Sequence, residues 1–321
     1  MAEPLHPALH TAFGLLWHSP DLPIPELPGA EDFASAAEAV EIIDETGCCW
    51  PELPPGPHDT PTLQMEPGDL RFRVDGTAEF RITGGQRIAW KRHDDCVKPE
   101  EISGLVLGSA MAAVLIQRGM LVLHGNALAH QGQAIVCLGH SGAGKSTLAY
   151  ALMREGWQLL ADDLVAVTAD GLVLPGIPRI KLWHDAVEAY GLDAAALPRI
   201  HRQMRKYVIA GDGVQRAPQP IPLGALYLIE PHSAEEEGAG EITPVRSEKA
   251  CASHLRAQVF QPRFVRGMGQ EGLNFLATAH LQRLAPLATL PVPRGIDQLQ
   301  SWLKGLDLLH AGASEQRTPR Q

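Results

Sequence analysis

The chain has 321 residues, of which 45 % are hydrophobic, and this length and composition suffice for two domains with their own cores. Its formal net charge of −10 argues against a nucleic-acid-binding protein, a class that usually presents a basic face. The five cysteines are odd in number and form no C-x-x-C pair, so we predict reduced thiols in a cytoplasmic protein.

The first residues and the apolar stretches give no sign of secretion or membrane insertion. No basic start precedes an apolar run at the N-terminal end, which predicts the absence of a secretory signal. The most apolar stretch, residues 104–116, is shorter than the ~20 residues that span a membrane, so we predict a buried helix there. We therefore expect a cytoplasmic location and no membrane partner.

Residues 1–99 are predicted to form a proline-rich segment followed by a small β-rich domain. Prolines are frequent in residues 1–65, and residues 30–45 have the pattern of a short amphipathic helix. Three later stretches alternate apolar and charged side chains and are separated by glycines, which predicts a β-meander. Its strands cover residues 70–74, 78–82 and 87–90.

Residues 100–310 are predicted to form a catalytic domain, and residues 311–321 a disordered tail. The first predicted elements of the domain are a helix over 100–118, strands over 119–124 and 127–129, and a turn at Gly125 and Asn126. The later ones are a hairpin over 164–174, a strand over 223–230, helices over 251–263 and 269–283, a strand over 284–293 and a helix over 296–309.

The run from Gly139 to Ser146 fits the phosphate-binding pattern G-x-x-x-x-G-K-[ST] at every required position. A buried strand is predicted before it, over 133–138, and a helix after it, over 146–155. Glycines here let backbone N–H groups converge on phosphate oxygens, and the helix N-terminus adds partial positive charge. Lys145 would reach the β- and γ-phosphates, and the Ser146 hydroxyl would ligate Mg²⁺. The plainer alternative is a glycine-rich turn that binds nothing.

A carboxylate pair, Asp162 and Asp163, follows one helix after this loop and separates two short predicted strands within residues 159–167. Ligands of parallel α/β sheets bind at the carboxyl ends of strands, where this pair falls. One carboxylate could hold Mg²⁺, and the other could accept a proton from an attacking hydroxyl. The alternative is a turn or cap pair, since aspartate favours both.

Cations downstream of the pair are candidates for phosphate contacts. Arg179 and Lys181 lie on one face of an alternating stretch, which is either aimed at phosphate or an exposed strand face. In the basic run that follows, Arg205 or Lys206 is a candidate γ-phosphate contact, because phosphoryl transfer needs a cation at the moving group. The alternative is a solvated helix face, shared with Arg199 and Arg202.

Three of these motifs together resemble a known family. His124-Gly125, then the run from Gly139 to Thr147, then Leu160-Ala161-Asp162-Asp163 resemble the core of the bacterial HPr serine kinase/phosphorylase family, whose nucleotide-binding fold is shared with phosphoenolpyruvate carboxykinase. Within that family the chain is most similar to the HPr-kinase-related proteins that include lasso peptide kinases. The resemblance covers about residues 118–230. It implies an α/β fold with a P-loop kinase core.

The resemblance also implies roles for the matching positions. Ser146 and Asp163 would hold Mg²⁺, Asp162 would act as the base, and His124 would lie close to the phosphates. The predicted catalytic residues are Asp162, Lys145, His124 and Arg179. The predicted nucleotide-binding residues are Gly139, His140, Ser141, Gly142, Ala143, Gly144, Lys145, Ser146 and Thr147. The run Phe264–Gly269 lacks the acid of the bifunctional members, so we expect no reverse phosphorylase activity.

The leading prediction is a Mg²⁺-ATP-dependent kinase that acts on a serine or threonine hydroxyl of a peptide or protein, in a setting such as modified-peptide biosynthesis. The motifs H-R-D and D-F-G of eukaryotic-type kinases are absent. A small-molecule kinase stays open. So does an ATP-dependent peptide-binding module without transfer, in which a peptide strand adds to the edge of the N-terminal sheet. A homo-oligomer is also left open.

Overall fold

A computed structural model describes residues 9–30, 39–200, 204–232, 241–304 and 306–309. In this part of the chain the protein is a mixed α/β protein with two seven-stranded sheets and one two-stranded sheet. It divides into a first unit, residues 1–122 and 259–277, and a second unit, residues 123–258 and 278–321. The predicted tail over 311–321 and the predicted cation Arg202 lie outside the described residues.

The secondary structure is numbered along the chain. The strands are β1 (Leu9–Ala12), β2 (Leu15–His18), β3 (Val40–Asp44), β4 (Leu63–Glu66), β5 (Asp69–Val74), β6 (Ala78–Thr83), β7 (Arg87–Arg92), β8 (Leu121–His130), β9 (Gln133–Leu138), β10 (Gln158–Val167), β11 (Leu172–Val173), β12 (Arg179–Trp183), β13 (Lys206–Ala210), β14 (Ile221–His232), β15 (Thr243–Pro244) and β16 (Leu287–Pro293). The helices are α1 (Pro99–Leu105), α2 (Met111–Gln117), α3 (Lys145–Arg154), α4 (His184–Ala189), α5 (Glu248–Ala257), α6 (Pro262–Gly267), α7 (Glu271–Leu284) and α8 (Ile296–Leu303).

The sheet of the first unit runs in the order β1-β2-β3-β7-β6-β5-β4. Strands β5, β6 and β7 are antiparallel neighbours, which confirms the predicted meander. Phe80, Ile82 and Ile88 are fully buried on one face, while charged residues such as Arg81 alternate with them. A slip of the pairing by one residue would turn Arg81 into the core, so the alternation fixes the register.

The predicted helix over 30–45 is wrong for the part that the structure describes, because Val40–Asp44 is strand β3. Val40 and Ile42 are buried and Glu41 between them is exposed, which is the period of two that a strand requires. β3 pairs in parallel with β2 and β7, and its β-branched residues suit a pleated surface. Residues 31–38 of the predicted helix lie outside the described part.

The predicted helix over 100–118 is confirmed as α1 and α2, joined by a π-helical turn, Val106–Ala110. Among the described residues, Pro99–Gln117 is the one helical stretch that is long and apolar enough to cross a membrane, and 61 % of its most apolar window is buried, as in a core helix. The side chain of Gln117 bonds the N–H of Gly85 at 2.7 Å and the carbonyl of Ile82 at 3.0 Å. These contacts join the helix to the first unit. The first stretch of that unit ends at residue 122, whereas the sequence predicted a domain boundary after residue 99.

The large sheet of the second unit runs in the order β11-β10-β8-β9-β14-β16-β15. β14 pairs in parallel with β9 and β16, and β8 is antiparallel to β9. β8 is one continuous strand, so the turn predicted at Gly125 and Asn126 is wrong. A Cβ at position 125 would lie 2.5 Å from the carbonyl oxygen of Cys137, so the glycine serves the close approach of β9.

Helix α3 packs into the core of the second unit. Leu148 and Leu152 of α3 share a buried cluster with Ile180 and Leu182 of β12 and with Tyr227 of β14. β12 and β13 form a separate two-stranded antiparallel sheet, so this sheet lies against α3 through its apolar face. The phosphate-loop motif is therefore held between a buried strand, β9, and a buried helix face.

The helices near the C-terminal end are shorter than predicted. The predicted helix over 251–263 is two helices, α5 and α6, because Pro262 has no backbone N–H to continue a helix and instead occupies a first-turn position of α6. The predicted helix over 296–309 ends at Leu303, and the described residues 306–309 are not helical. All five cysteines are free, which agrees with the prediction of unpaired thiols.

Candidate active site

The loop of the phosphate-binding motif lies between the end of β9 and the start of α3. Gly142 and Gly144 have positive φ angles of 82° and 93°, where a side chain would be strained, and no heavy atom lies within 4 Å of where a Cβ would be. His140 and Ser141 are exposed beside them. The loop is therefore open to solvent at the N-terminus of α3. Gly144 is the N-cap residue of this helix, and no side chain makes a capping hydrogen bond there.

Lys145 is the first residue of α3, and its side chain turns back over the loop. Its Nζ donates to the carbonyl oxygens of Gly139 at 2.8 Å and His140 at 2.9 Å. Burial lowers the pKa of Lys145, and the charges of Asp163 and Asp162 act in the opposite direction. The ammonium group is therefore held inside the loop, within the field of both carboxylates.

Asp162 is the buried member of the carboxylate pair, with 6 % of its surface exposed. Its Oδ1 accepts hydrogen bonds from the Asn126 side-chain amide and from Ser146 Oγ, the latter at 3.3 Å. Its Oδ2 accepts from the backbone N–H of Lys181 at 2.9 Å. Burial, together with the charge of Asp163, raises the pKa of Asp162.

Asp163 differs from its neighbour in backbone and in charge. It has a φ of 67°, a left-handed conformation that is uncommon for aspartate inside a strand, and β10 runs through it without the break that the sequence predicted. Its Oδ2 lies 2.6 Å from Lys181 Nζ. Burial acts to raise its pKa, but the cations Lys181 and Lys206 outweigh burial, and the pKa of Asp163 is lowered.

Two further predicted residues, His124 and Lys206, lie in the same electrostatic environment. Burial lowers the pKa of His124, the Lys145 charge adds to this, and the charge and backbone of Asp163 oppose it. Lys206 begins β13, and its charge lowers the pKa of Asp163 as well as that of Lys145. The basic run at this position is therefore strand, and the helix-face alternative is wrong for Lys206.

The remaining predicted residues lie in the same region. Arg179 is buried at the start of β12, and the alternation along that strand places it on the same face as Lys181. Thr147 lies in the first turn of α3, where its carbonyl accepts a hydrogen bond from the Tyr190 hydroxyl at 3.1 Å. The predicted site residues named so far are thus on the loop, on α3, or on the strands β8, β10, β12 and β13.

The structure adds two residues that the sequence did not indicate. Asn126 is 1 % exposed, and its side chain contacts Asp162. The sequence did not indicate this contact because Gly125 and Asn126 together predicted a turn instead of a strand. Gln258 accepts the N–H of Gly139 on its side-chain oxygen at 3.1 Å and the N–H of His124 on its backbone oxygen at 2.7 Å. A contact spanning more than a hundred residues leaves no local signal in the sequence.

Comparisons with known proteins give little support for a family assignment. No family model and no curated protein matches the chain. Among solved structures, the Hpr(Ser) kinase/phosphatase from Coxiella burnetii is similar over 57 % of this chain and 93 % of that chain, with a TM-score of 0.26 and 12 % sequence identity. A TM-score this low carries no argument, so the family resemblance of the motifs stays a prediction.

Proposed function

We propose that this chain is a Mg²⁺-ATP-dependent phosphotransferase that phosphorylates a hydroxyl group, with a serine or threonine of a peptide or protein as the acceptor. One observation carries the proposal: Lys145, Ser146, Asp162 and Asp163 converge on the loop that opens α3. Phosphoryl transfer needs a phosphate cradle, a cation, oxygen ligands for a metal and a proton acceptor, and these four residues with their loop supply each of them.

The loop supplies the phosphate cradle. The N-terminus of α3 carries partial positive charge, and its first N–H groups lack partners within the helix. Gly142 and Gly144 leave room above the loop, so backbone can approach phosphate oxygens closely. Lys145 would exchange its two bonds to loop carbonyls for bonds to β- and γ-phosphate oxygens, which are stronger because both partners are charged.

Ser146 and Asp162 fit a magnesium ion. Their oxygens lie 3.3 Å apart, and Mg²⁺ is usually held by one or two protein oxygens together with phosphate and water. In the described part of the chain no group of three or more His, Cys, Asp or Glu residues could hold a metal alone, so a metal here would need the nucleotide. Mg²⁺ supplies charge neutralisation on the phosphate oxygens. The sequence prediction paired Ser146 with Asp163, whereas the contacts favour Asp162.

Asp163 is then the proton acceptor. It is the carboxylate that remains when Asp162 holds the metal, and its Oδ2 lies 2.6 Å from Lys181 Nζ. The acceptor oxygen forms a bond to the γ-phosphorus as the bond to the ADP oxygen breaks, and the hydroxyl proton passes to the Asp163 carboxylate. Lys181 and Lys206 would balance the negative charge of the group in transfer. The predicted roles, with Asp162 as base and Asp163 on the metal, remain the alternative.

The sheet edges of the first unit bear on the rival peptide-binding module. At one edge, residues 28–30 bond strand β1. The N–H of Thr11 donates to the Pro28 carbonyl, and the N–H of Ala30 donates to the Leu9 carbonyl, both at 3.0 Å. At the other edge, Asp59 Oδ1 accepts the N–H of Met65 in β4 at 3.0 Å. Because chain segments already bond both edge strands, addition of a peptide strand there has little support, and transfer at the Asp pair is favoured.

The test is a transfer assay with γ-labelled ATP and Mg²⁺, offering serine and threonine peptides, free serine and water as acceptors. We expect label on peptide. Label on free serine or another small molecule alone would favour the small-molecule kinase. Nucleotide binding without transfer to any acceptor would favour the binding module, and absence of nucleotide binding would contradict the proposal. Addition of inorganic phosphate to the product should release no pyrophosphate, as the missing acid near Arg266 predicts.

A further inference from the structure

One face of the β12–β13 sheet leads from the proposed site to the surface. Arg179, Lys181 and Trp183 alternate along β12 and so share a face, opposite to the buried Ile180 and Leu182. Along this face the exposure rises, from 6 % at Arg179 to 45 % at Trp183. Lys181 bonds Asp163, and the exposed Trp183 is two residues further along β12, or roughly 7 Å. The face therefore connects the carboxylate pair to solvent.

An aromatic ring lies beside a cation at the open end of this face. Trp183 is directly opposite Lys206 in the register of β12 and β13, and Lys206 Nζ lies 5.7 Å from the centre of the Trp183 ring. On the other side of Lys206, the N–H of Ile200 donates to the Lys206 carbonyl at 3.1 Å. Trp183 and Ile200 are both exposed, unlike most large apolar residues of the described chain.

These three residues together with Arg205, which precedes Lys206, are called the hairpin row below: Trp183, Ile200, Arg205 and Lys206. Arg205 and Met204 precede Lys206 and are both exposed. The row therefore combines apolar surface with positive charge, on a chain whose formal net charge is −10. An aromatic ring and a lysine held beside a proposed phosphoryl-transfer site are placed to bind what the site must receive, the acceptor.

We propose that the hairpin row binds the acceptor as an acidic peptide segment, with an apolar side chain against Trp183 and Ile200 and a carboxylate toward Arg205. This inference rests on the proposed function. One feature argues for the acceptor as the occupant: the row is continuous with the face that holds Lys181 against Asp163. The positive charge of the row favours an acidic segment over a basic one.

The test measures peptide binding without turnover, by fluorescence anisotropy with a non-hydrolysable Mg²⁺-ATP analogue present. The probes are labelled short peptides with a central serine: one with leucine and flanking glutamates, one with the glutamates changed to glutamines, and one with the leucine changed to alanine. We expect the acidic leucine peptide to bind about fivefold more tightly than the glutamine peptide, the effect of about 1 kcal/mol of surface charge pairing.

Matched variants separate the two parts of the inference. Trp183→Ala should weaken the leucine peptide about tenfold, to the level of the alanine peptide, because the apolar contact is lost. Arg205→Glu should abolish the preference for glutamates. The controls are Trp50→Ala, a tryptophan that also lies against a lysine, Lys91, and Arg154→Glu, an arginine over the Tyr190 ring. Neither control is on the hairpin row, and both should leave peptide binding unchanged.

Several results would overturn the inference. They are equal binding of all three peptides, no binding of any, losses as large in the controls as in the test variants, or a loss of nucleotide affinity in Trp183→Ala and Arg205→Glu in place of peptide affinity. A γ-phosphate transfer assay on the parent chain distinguishes the two failures. Transfer that persists without peptide selectivity removes the hairpin row alone, whereas the absence of transfer to every acceptor removes the proposed function with it.

Discussion

The charged residues of the first unit and of the second unit are arranged in opposite ways. In the first unit, several carboxylates lie against an arginine: Asp69 with Arg81 at 2.6 Å, and Glu45 with Arg87 at 2.6 Å. In the second unit, two carboxylates are adjacent in one strand, the buried Asp162 and the half-buried Asp163, and a single lysine, Lys181, bonds both of them. The first arrangement balances charge pair by pair, and the second concentrates it.

This difference is a reason to propose the carboxylate pair of the second unit as the site of chemistry. Two carboxylates side by side destabilise each other unless cations or a metal compensate, so such a pair is retained where its charge is used. A cavity of about 410 Å³ lies in the first unit, lined by Leu9, His18, Ala39, Glu41, Thr83, Gln86 and Arg87. None of these residues is among the site residues, so the cavity is less informative than the convergence of Lys145, Ser146 and the aspartates.

The largest expected effect is the loss of Lys145. Lys145→Ala removes the cation of the phosphate cradle, so the rate of γ-phosphate transfer should fall at least ~10³-fold, the effect of losing a major electrostatic contact. The matched control is Lys91→Ala in the first unit, where the lysine lies over the Trp50 ring, and there the rate should stay normal. Near-normal transfer by folded Lys145→Ala protein would remove the kinase proposal.

The two aspartates should separate in a second experiment. Asp163→Asn should lower transfer by about 10²- to 10⁴-fold and change Mg²⁺-ATP affinity little, because it removes the proton acceptor. Asp162→Asn should weaken the Mg²⁺ dependence of nucleotide binding instead. The control is Asp170→Asn, an exposed turn residue of the same unit. The reversed pattern would restore the sequence prediction, and equal loss of binding in both variants would contradict any division of roles.

A smaller effect is expected at Asn126. Asn126→Ala removes a hydrogen bond to Asp162, so the pKa of Asp162 should rise further, since that bond favours the ionised form. We expect about a tenfold loss of transfer, with the acidic limb of the pH–rate profile moved to higher pH, where Asp162 now deprotonates. A lower melting temperature with an unchanged pH profile would show that Asn126 has only a structural role.

The smallest effect should be confined to stability. Ile42→Val removes one buried methylene from β3 in the first unit, so the free energy of unfolding should fall by about 0.5–1.5 kcal/mol. Transfer by the folded protein should not change. Denaturant unfolding and the transfer rate, measured on one sample, check both halves. A change in the transfer rate of the folded variant would mean that the sheet is coupled to the chemistry.

The sequence predicted the elements and residues whose signals are local. The pattern from Gly139 to Ser146 and the alternation in β5, β6 and β7 each depend on near neighbours, and the structure has a strand, a loop and a helix around the first and three strands at the second. The carboxylate pair lies in one continuous strand, β10, where two short strands were predicted. The turn predicted at Gly125 and Asn126 was wrong because glycine and asparagine are common in turns, but glycine also occurs in a strand where a neighbouring strand comes very close. The contacts of Gln258 are set by tertiary packing alone.

The pairing of Ser146 with Asp162 could not be predicted either. The two aspartates are adjacent in sequence, so their distance from the loop does not tell them apart. Alternation along a strand turns adjacent side chains to opposite faces, but it does not say which of the two faces Ser146. The left-handed φ of Asp163 changes that geometry, and nothing in the sequence signals it. The roles that we propose for the two carboxylates therefore rest on the contacts seen in the structure.

The most direct test of the central claim is residue-level hydrogen exchange of the whole chain, with and without Mg²⁺-ATP. We predict that the nucleotide protects the amides of residues 139–147 and of the strand around Asp162 and Asp163, that protection requires Mg²⁺, and that the sheet of the first unit is unchanged. Protection confined to the cavity residues of the first unit, or no protection at the loop at saturating nucleotide, would contradict it.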